Sequence, residues 1–129
     1  MTTRFIRWFS ELGVTDVPLV GGKNASLGEM FRELGAQGVR VPNGFAITAE
    51  AYRHVLDQAD AWPALHRALE GLDAKNVDDL ARRAQAAREI VQGAALPADL
   101  VAEILAAYAQ AESRVRRRVD RRGAQFGHR

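Results

Sequence analysis

The sequence predicts an α+β fold that is predominantly helical, with only a few short strands. Apolar residues recur at helical spacing in several separate stretches between residue 25 and residue 110. Strand-like alternation is confined to short runs near the N-terminus, the clearest being Phe45 and Ile47 after Pro42-Asn43-Gly44. Glycine and proline punctuate the chain at intervals that suit short connections. A length of 129 residues is enough for one domain with a real core.

Residues 4–12 hold Phe5, Ile6, Trp8, Phe9 and Leu12, a run too short for periodicity to separate a strand from a helical turn. Residues 13–18 read as a turn. Leu19-Val20 then leads into Gly21-Gly22, and a helix is predicted over residues 25–34. It is capped by Asn24 or Ser26, faces inward through Leu27, Met30, Phe31 and Leu34, and stops at Gly35. Residues 39–48 read as extended, broken at the Pro-Asn-Gly turn, because Pro42 disfavours helix at Val41. Thr48 is placed to cap a helix through Gln58 with Tyr52, Val55 and Leu56 inward.

Three more helices are predicted. The first carries the stripe Trp62, Leu65, Leu69 and Leu72 and closes near Gly71. Asn76 caps the second, where Asp78 and Asp79 suit the positive end of the dipole; Val77, Leu80, Ala81, Ala84, Ala87 and Val91 line its inner face, and Gly93 ends it. Pro97 opens the third, whose inward stripe is Leu100, Val101, Ile104, Leu105 and Tyr108. From about residue 113 the stripe gives way to arginines, so residues 113–129 are expected to form a disordered tail. The globular part is then residues 1–112.

Charge follows the same division. The net charge is +2, yet residues 1–111 hold 11 basic and 14 acidic side chains, while residues 112–129 hold 7 arginines and 2 acids. The basic character belongs to the tail and says little about the globular part's partners. No apolar run approaches bilayer length, so no membrane partner is expected. The absence of cysteine excludes disulfides and thiolate chemistry and fits a reducing cytoplasm.

The stretch with chemical content is Val20-Gly21-Gly22-Lys23-Asn24-Ala25-Ser26-Leu27-Gly28-Glu29-Met30. Paired glycines permit a tight turn and a close backbone approach to a ligand. A helix start presents unpaired amides with partial positive charge, and Lys23 adds a cation beside them, so phosphate is the ligand suggested. The spacing is not a Walker A loop, because Asn24 stands where Ser or Thr would follow the lysine. A glycine turn with a solvated lysine is the plain alternative.

Together, VGGKNASLGEM and VPNGFAIT resemble the phosphoenolpyruvate synthase (pyruvate, water dikinase) family, and a looser likeness runs from Phe5 to Gln110. The resemblance implies the N-terminal subdomain of an ATP-grasp domain, incomplete here, with ATP and magnesium as cofactors. It implies that Lys23, in the Gly21-Gly22-Lys23 motif, helps hold the ATP phosphates. In the family, phosphate passes through a histidine on a swivelling domain to pyruvate in a barrel, giving phosphoenolpyruvate, AMP and phosphate. Pyruvate would be a partner only of a complete enzyme.

The departures are specific. The family's VRSSA-type strand, whose arginine contacts ATP, is expected after residues 107–110, but residues 111–129 read AESRVRRRVDRRGAQFGHR. Arg114 and Arg116 stand near that place without Ser-Ser-Ala, so the role is not carried to either. The magnesium-holding acids, the histidine domain and the pyruvate barrel are absent, and His54, His66 and His128 lie in no phosphohistidine motif. No catalytic or metal residue is therefore assigned. A reading frame lost after about residue 112 would explain the tail; a genuine short paralogue is the alternative. The expected function is an ATP-binding fragment inactive alone. A small helical module binding nucleic acid or another polyanion through its arginine tail, or a subunit regulating a complete synthase, are the other readings.

Overall fold

Strands β1 (Ile6–Trp8) and β2 (Phe45–Ile47) pair antiparallel, with Ile6 opposite Ile47 and Trp8 opposite Phe45. The rings of that last pair meet edge to face, 5.5 Å between centroids. The computed structural model describes residues 3–126, with side chains described through residue 116. The chain divides into two compact units, Met1–Ala49 with Asp99–Arg129, and Glu50–Ala98.

In the first unit β1 runs straight into a 3₁₀ turn (Phe9–Glu11), so residues 4–12 contain both a strand and a helical turn. Pro42-Asn43-Gly44, predicted to form a turn, has none in the structure and runs as irregular backbone against it. Phe9 N–H donates to the Gly44 carbonyl at 2.9 Å, and a Cβ on Gly44 would stand 2.8 Å from the Phe9 ring. A second 3₁₀ turn (Val14–Asp16) leads to α1 (Val17–Val20) and then α2 (Gly22–Ala36). Leu12, Val20, Ala25 and Ala46 form the core here, with Phe9 and Leu19 against them.

Helix α2 differs from its sequence-predicted form in two ways. It starts at Gly22 rather than Ala25, and the residues it buries are small, Ala25 and Gly28, while Met30 is 48% exposed. The reason is close approach. A Cβ on Gly28 would lie 2.5 Å from Leu12 Cβ and 2.7 Å from the Leu12 carbonyl oxygen. A helix seated that near a backbone turns its small residues inward and its long ones aside.

Helix α6 (Ala98–Phe126) completes this unit. Leu100 and Ala107 are buried, and the Glu103 carboxylate accepts the Phe5 N–H at 3.1 Å. Leu105 and Tyr108, predicted inward, are 62% and 65% exposed, because the buried stripe runs through Leu100 and Ala107 instead. The disordered tail predicted from residue 113 also differs from what is seen: α6 continues as helix to Phe126, while residues 127–129 lie outside the described residues. Arginine and alanine are strong helix formers, which the reading from charge alone underweighted. Glu112 pairs with Arg116 at 2.7 Å one turn on, and the Arg114 guanidinium lies 4.5 Å from the centre of the Trp8 ring.

The second unit holds α3 (Ala49–Gln58, all but its first residue), α4 (Trp62–Leu69) and α5 (Val77–Gly93). Ala51, Leu56 and Ala61 are buried, but Tyr52, Trp62, Leu69, Val77 and Leu80, predicted inward, are exposed. Polar clasps hold this unit instead. Asn76 caps α5 as predicted, its Oδ1 accepting the Asp79 N–H at 3.2 Å. Arg83 donates to the carbonyls of Ala68 and Glu70 at the end of α4 and to both oxygens of Asp79. The Arg83 guanidinium thereby holds the Asp79 carboxyl below the usual carboxylate range.

Candidate nucleotide site at the start of helix α2

The joint between α1 and α2 is a single residue. Gly21 N–H donates to the Val17 carbonyl at 2.8 Å, closing α1, and Gly21 C=O accepts the Ala25 N–H at 3.1 Å, opening α2. Its angles, φ +83° and ψ 164°, belong to a region that only glycine enters without strain. A hydrophobic α1 ending in buried Val20 therefore hands over to a polar helix start with no intervening loop.

Ala25 supplies the first backbone N–H that bonds back across the joint, so the amides of Gly22, Lys23 and Asn24 precede the α2 hydrogen-bond ladder. No side chain caps this end. The sequence predicted that Asn24 or Ser26 would do so. Both lie inside the helix, and Asn24 Nδ2 donates backward to the Val20 carbonyl at 3.0 Å. That bond clips the last turn of α1 to the first turn of α2 and leaves the backbone amides of α2 uncovered.

Gly22 meets nothing: a Cβ there would have no heavy atom within 4 Å. Neither packing nor positive φ demands a glycine at this position, in contrast to Gly21 and Gly28. Lys23 is exposed and, among the described residues, forms no hydrogen bond or ion pair. The three predicted residues Gly21, Gly22 and Lys23 thus meet at one open helix end. An anion there would face partial positive charge from the amides and a full charge from the lysine.

Beneath this end, α2 is fastened to the preceding turn. Glu29 accepts the Val14 N–H at 3.4 Å and pairs with Arg32 at 3.1 Å, while Asp16 accepts the Gly13 N–H at 2.9 Å. Asn24 and Gly28 were missed as positioning residues. Gly28 had a visible signal, since Ala25 and Gly28 stand one turn apart as small residues on one face. The Asn24 clip had none.

Other sequence features are engaged elsewhere or stand apart. Arg114 and Arg116 spend their charge on Trp8 and Glu112. His66 is exposed, His54 half-buried, and His128 lies outside the described residues. Among the described residues no three His, Cys, Asp or Glu side chains gather where they could hold a metal ion. No single described helix is long and apolar enough to cross a membrane.

Comparison with known proteins bears on this geometry. The family model described as pyruvate phosphate dikinase, AMP/ATP-binding domain, matches residues 17–122, a span that contains the α1–α2 joint and reaches past residue 112. A phosphoenolpyruvate synthase of Helicobacter pylori is 49% identical over 105 residues, 81% of this chain and 13% of that protein. One from Synechocystis is 40% identical over 121 residues, covering 94% of this chain and 15% of that protein. One from Escherichia coli is 41% identical over 105 residues, with 81% and 13% covered. The chain spans about an eighth of the length of these relatives. A match over most of its residues, from 17 to 122, places the chain in the pyruvate phosphate dikinase AMP/ATP-binding domain family, beside the phosphoenolpyruvate synthases.

Proposed function

We propose that this chain is the opening piece of an ATP-grasp nucleotide site and holds the phosphates of ATP at the start of α2. The observation that carries the reading is the uncapped end itself, with Gly21 at φ +83°, open space over Gly22 and an unpaired Lys23 beside it among the described residues. The amides of Gly22, Lys23 and Asn24 would bind phosphate oxygens, and the lysine would offset their charge. Gly22 leaves room for the nucleotide to approach the backbone. ATP supplies the phosphoryl group that the family's chemistry transfers, and magnesium would arrive with its phosphates and find its protein ligands on other segments.

ATP-grasp sites close between two subdomains. One wall alone should bind nucleotide weakly and should not turn pyruvate and ATP into phosphoenolpyruvate, so the chain is inactive by itself and acts in the cytoplasm only as part of a larger site. Equilibrium dialysis with labelled ATP tests the reading. Weak binding in the millimolar range is expected, competed by tripolyphosphate better than by adenosine, and removed by Lys23→Ala. Binding that adenosine competes and Lys23→Ala leaves intact would overturn it, as would AMP production from pyruvate and ATP by the purified chain.

A further inference from the structure

Asn24 uses its side chain where a helix would use its backbone. In an α-helix each N–H bonds the carbonyl four residues back, so a helix running unbroken from α1 into α2 would join Asn24 N–H to the Val20 carbonyl. Here that carbonyl is taken by Asn24 Nδ2 at 3.0 Å, and the first backbone bond of α2 runs from Ala25 N–H to the Gly21 carbonyl. The backbone N–H of Asn24 has no hydrogen bond among the described residues. One residue thus supplies two donors, its side chain to the protein and its main chain to the open end. Aspartate has the same shape but no N–H to give, so it cannot take this place.

Two registers of the joint compete. Gly21 at φ +83° breaks the helix, yet glycine enters helical angles about as readily. Were Gly21 helical, the amides of Gly22, Lys23 and Asn24 would bond the carbonyls of Pro18, Leu19 and Val20, and none would be left for an anion. We infer that Asn24 is a positioning residue: by occupying the Val20 carbonyl, its side chain holds the joint in the broken register and keeps these amides free for phosphate. Asn24 is half-buried, so water competes less for the bond that does this. The role rests on the phosphate reading of the joint, which lies inside the span that matches an AMP/ATP-binding domain. It adds what keeps the site open before a ligand arrives.

Exchange of backbone amides with water, followed residue by residue by NMR on the isotope-labelled full chain, tests this without any ligand. In the wild type the amide of Asn24 should exchange as freely as an unbonded one. Asn24→Leu keeps the bulk of the side chain and removes its donor. The amide at residue 24 should then close on the Val20 carbonyl and exchange about tenfold more slowly. A side chain that merely braced the joint would give the opposite, faster exchange at Ala25 and the residues after it. Tripolyphosphate should slow the wild-type amides of residues 22–24 and bind Asn24→Leu several-fold more weakly. A protected wild-type amide at Asn24, an Asn24→Leu amide that stays fast, or equal tripolyphosphate binding by the two chains would overturn the inference and leave the nucleotide reading standing on Gly22 and Lys23. Tripolyphosphate that affects none of the three wild-type amides would overturn both.

Discussion

The two units solve the problem of a small core in opposite ways. Around α2 the chain buries small residues against backbone, Gly28 on Leu12 and Ala25 beside Val20, and keeps its polar helix end open. Between Glu50 and Ala98 few residues are fully buried, and helix ends are closed by side chains: Asn76 on Asp79, Arg83 on the carbonyls of Ala68 and Glu70. Close packing with an open polar end is what a ligand site requires, since the scaffold must be rigid where the donors are left unsatisfied. The difference teaches that an uncapped helix start is informative when the rest of the helix is the best-seated element nearby.

The sharpest way to break this contrast is to put a side chain at residue 28. Gly28→Val would drive a branched Cβ into the Leu12 backbone, and a loss of about 3 kcal/mol or more is expected in urea denaturation. Gly21→Ala comes next. There is open space for the methyl, so the cost comes from φ +83° alone and should be about 2 kcal/mol.

The clasp of the other unit is tested by Arg83→Met, which keeps the aliphatic stem but removes the donors to Ala68 and Glu70. About 1–2 kcal/mol should be lost. Acid makes the same point more gently. The Asp79 carboxyl is held below its ordinary value of 3.8 in the folded state, chiefly by its hydrogen bond to Arg83. Its stabilising effect is therefore full above the unfolded value and fades as pH falls through the folded one. In a pH titration of unfolding, Arg83→Met should flatten the acid limb below about pH 4. Lys23→Ala should have the smallest effect on stability, within about 0.5 kcal/mol, because the lysine is exposed and unpaired among the described residues.

Much of this contrast was legible in the sequence, and the failures share a cause. The strand at Phe45–Ile47, the helix ending at Gln58, the Asn76 cap and the helix ending at Gly93 follow from short-range alternation and capping, which are local. Inward faces were read from size and spacing. That rule failed where a helix sits against backbone, as at Met30, and where a helix has more than one apolar stripe, as at Leu105 and Tyr108. The helical course of residues 113–126 was missed because like-charge repulsion was weighed without arginine's helix propensity or the Trp8 ring waiting for Arg114. At the candidate site, Gly21, Gly22 and Lys23 were visible as a motif, whereas the backward bond of Asn24 exists only once α2 starts at Gly22.

The central claim is that phosphate is held by the first amides of α2 with Lys23 beside them. Titration of the isotope-labelled chain with tripolyphosphate, followed amide by amide in solution NMR, tests it directly. The account predicts that the largest shifts fall on Gly22, Lys23 and Asn24 and vanish in Lys23→Ala while the spectrum stays folded. Shifts centred on the arginines of α6 with residues 22–24 unmoved, or a response indifferent to loss of the lysine, would contradict it.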